Sequence, residues 1–343
     1  MLNDAQRPSI ETRLCGSRLQ DSLKNMLTIV IPVLNEEEAI GRVIDELLDE
    51  GYKPSQIIVV DGHSTDATRE EAAARGVRVV EQEGRGKTDA VRTAARLVET
   101  KYMLVMDGDY TYPASHIAEL LSKAEEGGYD EVIGSRRYGR SNIPAVNRLG
   151  NVALTWFFNL LFGTRLTDVL SGMYIVRTGA LREVVLESKG FGVESEIAAY
   201  IASSGGRIGE HPIGYRRRVG EKKLRVSDGA RIALEILRLA WRYNPVFFIA
   251  LIGSILLLPG LVLAAYVAYN YLAYGVKYFV KGLLASALTG MGVVSLLLAV
   301  LALYLKRMEW RLMRELKRVR RCMEHGWEEG AKTCAAATRL SSR

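Results

Sequence analysis

Two long stretches near the C-terminus constrain this chain more than any other feature of its sequence. Residues 245–268 and 283–305 contain no charged residue, and at about 1.5 Å rise per residue each can cross the hydrocarbon core of a bilayer. A helix buried in a soluble domain seldom runs past about 20 residues without a polar face, which weakens that alternative. The sequence therefore predicts two membrane-spanning helices joined by a short loop, the first kinked at Pro259.

Positively charged residues flank these stretches and indicate an orientation. The formal net charge is +7, with Lys and Arg concentrated between residues 216 and 242 and between 306 and 321, whereas the connecting loop has Lys277 and Lys281. Because Lys and Arg are retained on the cytoplasmic side, the N-terminal portion and the C-terminal tail are both expected in the cytoplasm, at the cell membrane. Nucleic-acid binding is a competing explanation, but the apolar stretches between the cations explain them better, so no nucleic-acid partner is expected.

The chain ends contribute less to the prediction. Residues 1–25 are polar, mixed in charge and without the apolar segment of a signal peptide, so a disordered extension is expected over 1–26, with ordered structure beginning at Met26. The three cysteines, Cys15, Cys322 and Cys334, lack metal-ligand spacing. They argue against a disulfide scaffold or a zinc site and are compatible with a reducing compartment.

Short apolar runs alternate with helical periodicity between residues 27 and 226. Strands are predicted at 27–31, 57–60, 77–80, 102–106, 132–133, 173–176 and 208–213, and helices at 40–48, 66–75, 88–99, 147–162 and 193–202. This alternation predicts an α/β fold with a mainly parallel sheet and helices on both faces. Such a sheet binds its ligands beyond the carboxyl ends of its strands.

Apolar residues and arginines mix between residues 227 and 243. The pattern favours an amphipathic helix lying on the membrane surface. An ordinary amphipathic helix packed against the preceding domain is the alternative.

Two aspartates follow the fourth predicted strand. Asp107 and Asp109 stand one residue apart, shortly before Pro113, and Asp61 ends the second strand in the same way. Paired carboxylates at a strand end are typical ligands of Mg²⁺ or Mn²⁺, which also bind substrate phosphates. Taken alone, the segment could equally be a polar turn, because Asp-Gly is a common turn former.

The glycine-rich segment 84–88 does not complete a known phosphate-binding loop. Its ending, Gly86-Lys87-Thr88, fits a P-loop, but the first glycine would stand at position 81, which is Glu81. A dinucleotide fingerprint is also missing after the first strand. Phosphates are therefore expected to be bound through a metal and through Arg or Lys.

A series of motifs occurs in fixed order along the chain. They are Ile31-Pro32-Val33-Leu34-Asn35-Glu36-Glu37, Val59-Val60-Asp61-Gly62-His63-Ser64-Thr65-Asp66, Gly84-Arg85-Gly86-Lys87, Asp107-Gly108-Asp109, Gly134-Ser135-Arg136, Asp168-Val169-Leu170-Ser171-Gly172-Met173 and the segment 217–224. In order and spacing they resemble the family 2 glycosyltransferases of GT-A fold, and the last two narrow the resemblance to the dolichyl-phosphate mannose and glucose synthase branch. The resemblance covers residues 27–226, and the two C-terminal spans resemble those of membrane-anchored members.

The resemblance implies a role for each matching residue. The donor nucleotide is expected at Pro32, Leu34, Glu36 and Asp61, and Mg²⁺ or Mn²⁺ at Asp107 and Asp109. Arg136 and Arg148 match positions that bind the acceptor phosphate, while Arg217 and Lys223 match positions that reach the donor diphosphate. Glu194 and Glu196 are candidates for orienting the sugar, although an exposed helix start explains them almost as well.

The implied reaction is the inverting, metal-dependent transfer of glucose, N-acetylglucosamine or mannose from a nucleotide sugar to dolichyl or polyprenyl phosphate. Asp61-Gly62 stands where many relatives have Asp-Asp, and Thr111 where many have glutamine, which favours a UDP-sugar over GDP-mannose. One alternative is a transferase that extends a lipid-linked saccharide or a membrane polysaccharide, but the Gln-x-x-Arg-Trp segment and the additional spans of polymer synthases are missing. A catalytically silent membrane scaffold is the other, and the intact aspartates argue against it.

The sequence divides the chain into five parts. They are an extension at 1–26, a GT-A catalytic domain at 27–226, a juxtamembrane helix at 227–243, a transmembrane hairpin at 244–306 and a basic cytoplasmic tail at 307–343. Association through the membrane helices into a homo-oligomer is compatible with the resemblance.

Overall fold

The computed structural model describes residues 23–188, 192–220 and 228–340, and the chain divides into two compact units between Asn244 and Pro245. Residues 1–22 of the expected extension lie outside the described residues. Its end is described, and there Lys24 Nζ donates a hydrogen bond of 2.6 Å to the backbone oxygen of Glu50.

A seven-stranded sheet forms the centre of the first unit, with the order β3-β2-β1-β4-β6-β5-β7. The strands are β1 (Leu27–Val33), β2 (Ile57–Asp61), β3 (Arg78–Glu81), β4 (Tyr102–Val105), β5 (Glu131–Tyr138), β6 (Tyr174–Arg177) and β7 (Ile208–Gly214). Strands β1 to β4 run parallel, as do β5 and β7, whereas β6 is antiparallel to both its neighbours. The predicted mainly parallel α/β sheet is confirmed, and one reversed strand makes it mixed.

The helices of this unit follow the predicted periodicity, with two additions. They are α1 (Glu37–Asp49), α2 (Thr68–Ala73), α3 (Lys87–Leu97), α4 (Ile117–Gly127), α5 (Ala145–Phe162), α6 (Thr178–Glu183), α7 (Val193–Ser203) and α8 (Asp228–Tyr243). Helices α4 and α6 are additional to the predicted set. Helix α8 packs against α5 and α7.

The central strands are covered on both faces. Side chains alternate between the two faces of a strand, and neighbouring residues such as Ile29 and Val30 are both fully buried. Ile29 and Ile31 pack with Ile40 and Ile44 of α1 in the main core cluster. Burying each such side chain contributes roughly 1.5–3 kcal/mol relative to leaving it exposed.

The strand order places three loops side by side. Because β2, β1 and β4 are parallel neighbours, the residues that follow them lie at one edge of the sheet. Each loop contains a non-glycine residue with positive φ: Asn35 (51°), His63 (68°) and Tyr110 (63°). Such backbone strain costs about 1–3 kcal/mol per residue and is concentrated at functional sites.

Two long helices form the second unit. Helix α9 (Pro245–Tyr274) and helix α10 (Phe279–Leu340) both contain segments long and apolar enough to cross a membrane. Pro259 lies within α9. The helices approach closely at glycines, since a Cβ added at Gly260 would lie 2.7 Å from the backbone nitrogen of Thr289.

Candidate active site

Two carboxylates at the end of β4 are each paired with a cationic side chain. Lys87 Nζ lies 2.6 Å from Asp107 Oδ1 and 2.5 Å from Glu194 Oε1. Arg218 Nη1 lies 2.6 Å from Asp109 Oδ2. The aspartates therefore belong to an extended ion-pair network and not to an isolated turn.

Asp109 is buried and held in one orientation by its own loop. Its Oδ1 accepts hydrogen bonds from Thr111 Oγ1 (2.5 Å) and from the Thr111 backbone N–H (3.2 Å). Burial and the neighbouring Asp107 raise the pKa of Asp109. A divalent cation bound at the two aspartates would relieve this repulsion between their charges.

Lys87 begins helix α3 and reaches into the protein from there. It follows Gly86, whose φ of 90° turns the chain into the helix, a conformation for which glycine has no steric penalty. Burial alone would lower the pKa of the Lys87 ammonium, but Asp107 and Glu194 outweigh burial and keep that pKa well above its usual value. Lys87 is therefore a permanent cation between two carboxylates.

The loop before β6 lies directly against Asp107. A Cβ added at Gly172 would lie 2.1 Å from Asp107 Oδ2, far inside van der Waals contact. The Gly172 N–H donates a 2.7 Å hydrogen bond to the Tyr112 hydroxyl. The position of this loop therefore requires glycine next to the aspartate.

The β2 loop is organised by Asp61, which is fully buried. Its Oδ2 accepts hydrogen bonds from Arg69 Nε at 2.6 Å and from the backbone N–H groups of His63 and Ser64 at 3.1 Å. Asp61 therefore shapes the loop that the sequence predicts to bind the nucleotide.

His63 connects this loop to the glycine-rich segment. Its ring nitrogens lie 2.7 Å from Glu81 Oε1 and 2.9 Å from the Gly84 oxygen. Both partners are acceptors, and the hydrogen bonds to Gly84 and Glu81 raise the pKa of His63. The charged imidazole, which has two N–H groups, fits this position better than the neutral one.

The end of β1 and the loop that follows it supply Pro32, Leu34 and Glu36. Pro32 lies in β1, Leu34 is 43% exposed just beyond the strand, and Glu36 is buried. Arg218, which pairs with Asp109, also pairs with Glu36. One guanidinium therefore connects the loops after β1 and β4.

Arg136 forms a buried bidentate ion pair. Its Nε and Nη2 each lie 2.6 Å from an oxygen of Asp168, and the two side chains are only 10% and 7% exposed. The ring of Tyr215 lies 5.5 Å from the guanidinium carbon. Asp168 therefore occupies two of the three guanidinium nitrogens of the side chain predicted to bind the acceptor phosphate.

Other predicted residues lie apart from this network. Arg148 on α5 and Arg217 are exposed, and no described hydrogen bond joins either to the aspartates. Lys223 lies outside the described residues. Glu196 accepts hydrogen bonds from the backbone of Glu187 and Ser188, which gives it a structural role.

The sequence motifs predict no role for Lys87, Arg218, Asp168 or Gly172, although each of these residues stands within or beside a motif. Their position in or next to these motifs is the sequence signal that could have identified them as site residues. Their contacts join positions far apart in the chain, such as Lys87 with Glu194 and Arg218 with Asp109. Spacing alone could not reveal those pairs.

The arrangement suits the handling of phosphates at a divalent cation. Asp107 and Asp109 offer the oxygen ligands that Mg²⁺ and Mn²⁺ prefer. The side chains of Lys87 and Arg218 could exchange their present carboxylate partners for the oxygens of a diphosphate.

Comparison with known proteins agrees with this geometry. Residues 28–187 match the model of glycosyl transferase family 2. Glycosyltransferase AglJ of Haloferax volcanii is 35% identical over 300 residues, which cover 84% of this chain and 97% of that protein. A dolichyl-phosphate hexose transferase of the same organism is 34% identical over 214 residues, covering 62% of this chain and 92% of its own.

Solved structures show the same fold. Glucosyl-3-phosphoglycerate synthase from Mycobacterium tuberculosis, in a complex with Mn²⁺, UDP-glucose and phosphoglyceric acid, aligns with a TM-score of 0.53 at 23% identity over 70% of this chain and 85% of that one. The strand-end carboxylates, the family match and the similarity to AglJ over most of the chain agree: this protein is a glycosyltransferase and belongs to family 2.

Proposed function

We propose that this enzyme transfers a hexose from a nucleotide sugar to dolichyl or polyprenyl phosphate at the cytoplasmic face of a membrane, with inversion at the sugar and with a divalent metal. The carrying observation is the pair Asp107 and Asp109 at the end of β4, opposed by Lys87 and Arg218. The similarity to a protein named dolichyl-phosphate hexose transferase supports the acceptor.

The carboxylate pair fits Mg²⁺ or Mn²⁺. Burial and mutual repulsion raise the pKa of Asp109, so a divalent ion would relieve an unfavourable charge there. Asp107 and Asp109 would be its protein ligands. When bound, the metal would neutralise charge developing on the departing nucleoside diphosphate.

Thr111 supports a UDP-sugar as the donor. It stands where many relatives have glutamine, and it is fully buried with its hydroxyl donating to Asp109. Thr111 thus fixes the orientation of the aspartate and offers no amide to the site. The donor diphosphate would lie against Lys87 and Arg218, which lie beside the metal ligands.

Two helices of the catalytic unit have exposed apolar faces that suit a lipid acceptor. On α5, Val146, Leu149 and Trp156 are 63%, 71% and 65% exposed. On α8, Leu234 and Trp241 are 67% and 65% exposed. Apolar and aromatic residues of this kind bind at a membrane interface. They would bring the catalytic unit to the layer where a polyprenyl phosphate presents its head group.

The acceptor chemistry requires little from the protein. A phosphate monoester is already ionised near neutral pH, so no strong general base is needed, and placement in line with the anomeric carbon supplies much of the rate. Glu194, which is paired with Lys87, would orient the sugar. Arg148 and Lys223 would assist binding of the two phosphate groups, as the resemblance implies.

An activity assay with purified full-length protein tests the proposal. UDP-glucose, UDP-N-acetylglucosamine and GDP-mannose are offered with a short polyprenyl phosphate and Mg²⁺ or Mn²⁺, and lipid-linked sugar is measured. Asp109→Asn is expected to lower the turnover at least about 100-fold, while its thermal unfolding shows a folded protein.

Asp49→Asn is the matched control, because Asp49 is an exposed aspartate at the end of α1, and it should retain full turnover. Unchanged turnover in Asp109→Asn would refute the metal site. Product formed on a lipid-linked saccharide, with none on polyprenyl phosphate, would instead support an enzyme that extends a glycan.

A further inference from the structure

Two histidines and a glutamate come together at the start of α4 and on β7, outside the carboxylate network. His116 precedes α4, Glu119 lies in its first turn, and His211 lies in β7. Glu119 Oε2 lies 2.8 Å from His211 Nε2 and 3.3 Å from His116 Nδ1. One ligand atom from each side chain lies within 4.8 Å of the other two.

These separations are close to those of a metal site. Tetrahedral Zn²⁺ with bonds of about 2.0–2.2 Å places its ligand atoms roughly 3.3 Å apart. Both imidazoles are 23% exposed and well anchored, whereas Glu119 is 58% exposed and can adjust. Oε2 of Glu119 faces both imidazoles, so this oxygen is already placed as a ligand.

We propose that His116, Glu119 and His211 bind a late first-row divalent cation such as Zn²⁺, and that this cation inhibits sugar transfer. Imidazole and carboxylate together suit Zn²⁺ better than Mg²⁺, which prefers oxygen ligands alone. The site thus differs in chemistry from the pair Asp107 and Asp109. The inhibition rests on the proposed function, whereas the binding does not.

The inhibition follows from the second nitrogen of His116. Nε2 accepts a 3.0 Å hydrogen bond from the Gly214 N–H, so the neutral ring has its proton on Nδ1. Coordination through Nδ1 moves that proton to Nε2, because a neutral imidazole keeps one proton. Two N–H groups then face each other, and the hydrogen bond to Gly214 is lost.

Gly214 ends β7, and the chain leads from it directly into the active site. The Arg216 N–H donates to the Thr111 oxygen (2.9 Å) and the Val219 N–H to the Asp109 oxygen (3.2 Å). Arg218 between them pairs with Asp109. Releasing Gly214 would therefore loosen the segment that positions Arg218.

Binding is tested with Co²⁺, a spectroscopic substitute for Zn²⁺, on full-length protein with Mg²⁺ in excess. Cys15, Cys322, Cys334 and His325 are replaced by Ser and His63 by Gln in every protein, which removes the cysteines and the histidines outside the proposed site. The protein with only these background substitutions, the parent, should show visible d–d absorption when Co²⁺ binds. In this background, His211→Ala and Glu119→Gln should each lower the Co²⁺ affinity at least about tenfold. Glu126→Gln, an exposed carboxylate of the same helix, is the matched control and should bind as the parent does.

Equal Co²⁺ binding by the parent and His211→Ala would overturn the site, and so would an equal loss in Glu126→Gln. Inhibition is tested separately by titrating Zn²⁺ into the transfer assay. His211→Ala should keep the basal turnover and need at least about tenfold more Zn²⁺ for half-inhibition. Identical inhibition of both proteins would refute the link to Gly214, and absence of turnover without Zn²⁺ would refute the proposed function alone.

Discussion

Asp107 and Asp109 have different surroundings although one residue separates them. Asp109 is buried, oriented by Thr111 and paired with Arg218, whereas Asp107 is partly exposed, with Lys87 on one side and Gly172 on the other. The carboxylate of Asp109 is therefore held in one orientation, whereas the orientation of the Asp107 carboxylate depends on Lys87 and Gly172. This difference makes Gly172 and Lys87 as important to the geometry as the aspartates themselves.

Arg136 combines a structural contact with a predicted role in acceptor binding, and the two can be separated. Arg136→Ala should destabilise the fold by about 3–5 kcal/mol, because it leaves Asp168 buried without its partner. The pair Arg136→Met with Asp168→Leu should recover most of that stability, since both charges are removed.

If Arg136 also contacts the acceptor, the double variant should still have a raised KM for polyprenyl phosphate. Thermal unfolding and lipid-dependent kinetics measure the two effects. A stable double variant with an unchanged KM for the lipid would leave Arg136 a purely structural role.

At the scale of elements, the loop before β6 determines the geometry of the aspartate pair. Gly172→Ala would place a methyl group 2.1 Å from Asp107 Oδ2, so the carboxylate or the loop must move. A displacement near 1 Å is expected to lower kcat/KM about 100-fold. Gly179→Ala is the control, since a Cβ there meets nothing within 4 Å, and it should leave kcat/KM unchanged. Equal activity of the two variants would contradict the contact.

The two apolar helices also depend on glycine. A Cβ at Gly260 would lie 2.7 Å from the Thr289 nitrogen, whereas one at Gly290 meets nothing within 4 Å. Small residues permit this close approach between membrane helices. Gly260→Ala should destabilise the pair by about 1–3 kcal/mol, measured by unfolding in mixed micelles. Gly290→Ala should unfold as the parent does, and equal stability of both variants would argue against close packing at Gly260.

At the scale of the whole molecule, the charge distribution predicts the orientation of the chain. The segment between α9 and α10 should lie outside the cell, and the catalytic unit inside. In a protein whose three cysteines are replaced by Ser, Val276→Cys should react with an impermeant maleimide on intact cells. Glu126→Cys in the catalytic unit should react only after lysis. The reverse pattern would overturn the cytoplasmic assignment.

Much of this organisation can be predicted from the sequence. Parallel strands bring their carboxyl ends to one edge, so Asp61, Asp107 and Asp109 could be placed at that edge from their positions at strand ends. The reversed direction of β6 could not be predicted, because an apolar run such as 173–176 reads the same in either direction. The pairing of Arg136 with Asp168 was also beyond sequence patterns, because it joins residues 32 positions apart.

Local sequence patterns are enough to predict the α/β class, the membrane-compatible helices and the carboxylate pair, because hydrophobic periodicity and strand-end chemistry are local properties. Tertiary structure alone decided which cations face those carboxylates. Lys87 and Arg218 meet the aspartates across separations of 20 and 109 residues, and Lys87 meets Glu194 across 107. Ion pairing depends on distance in space, and only the folded sheet brings these charges within 3 Å of one another.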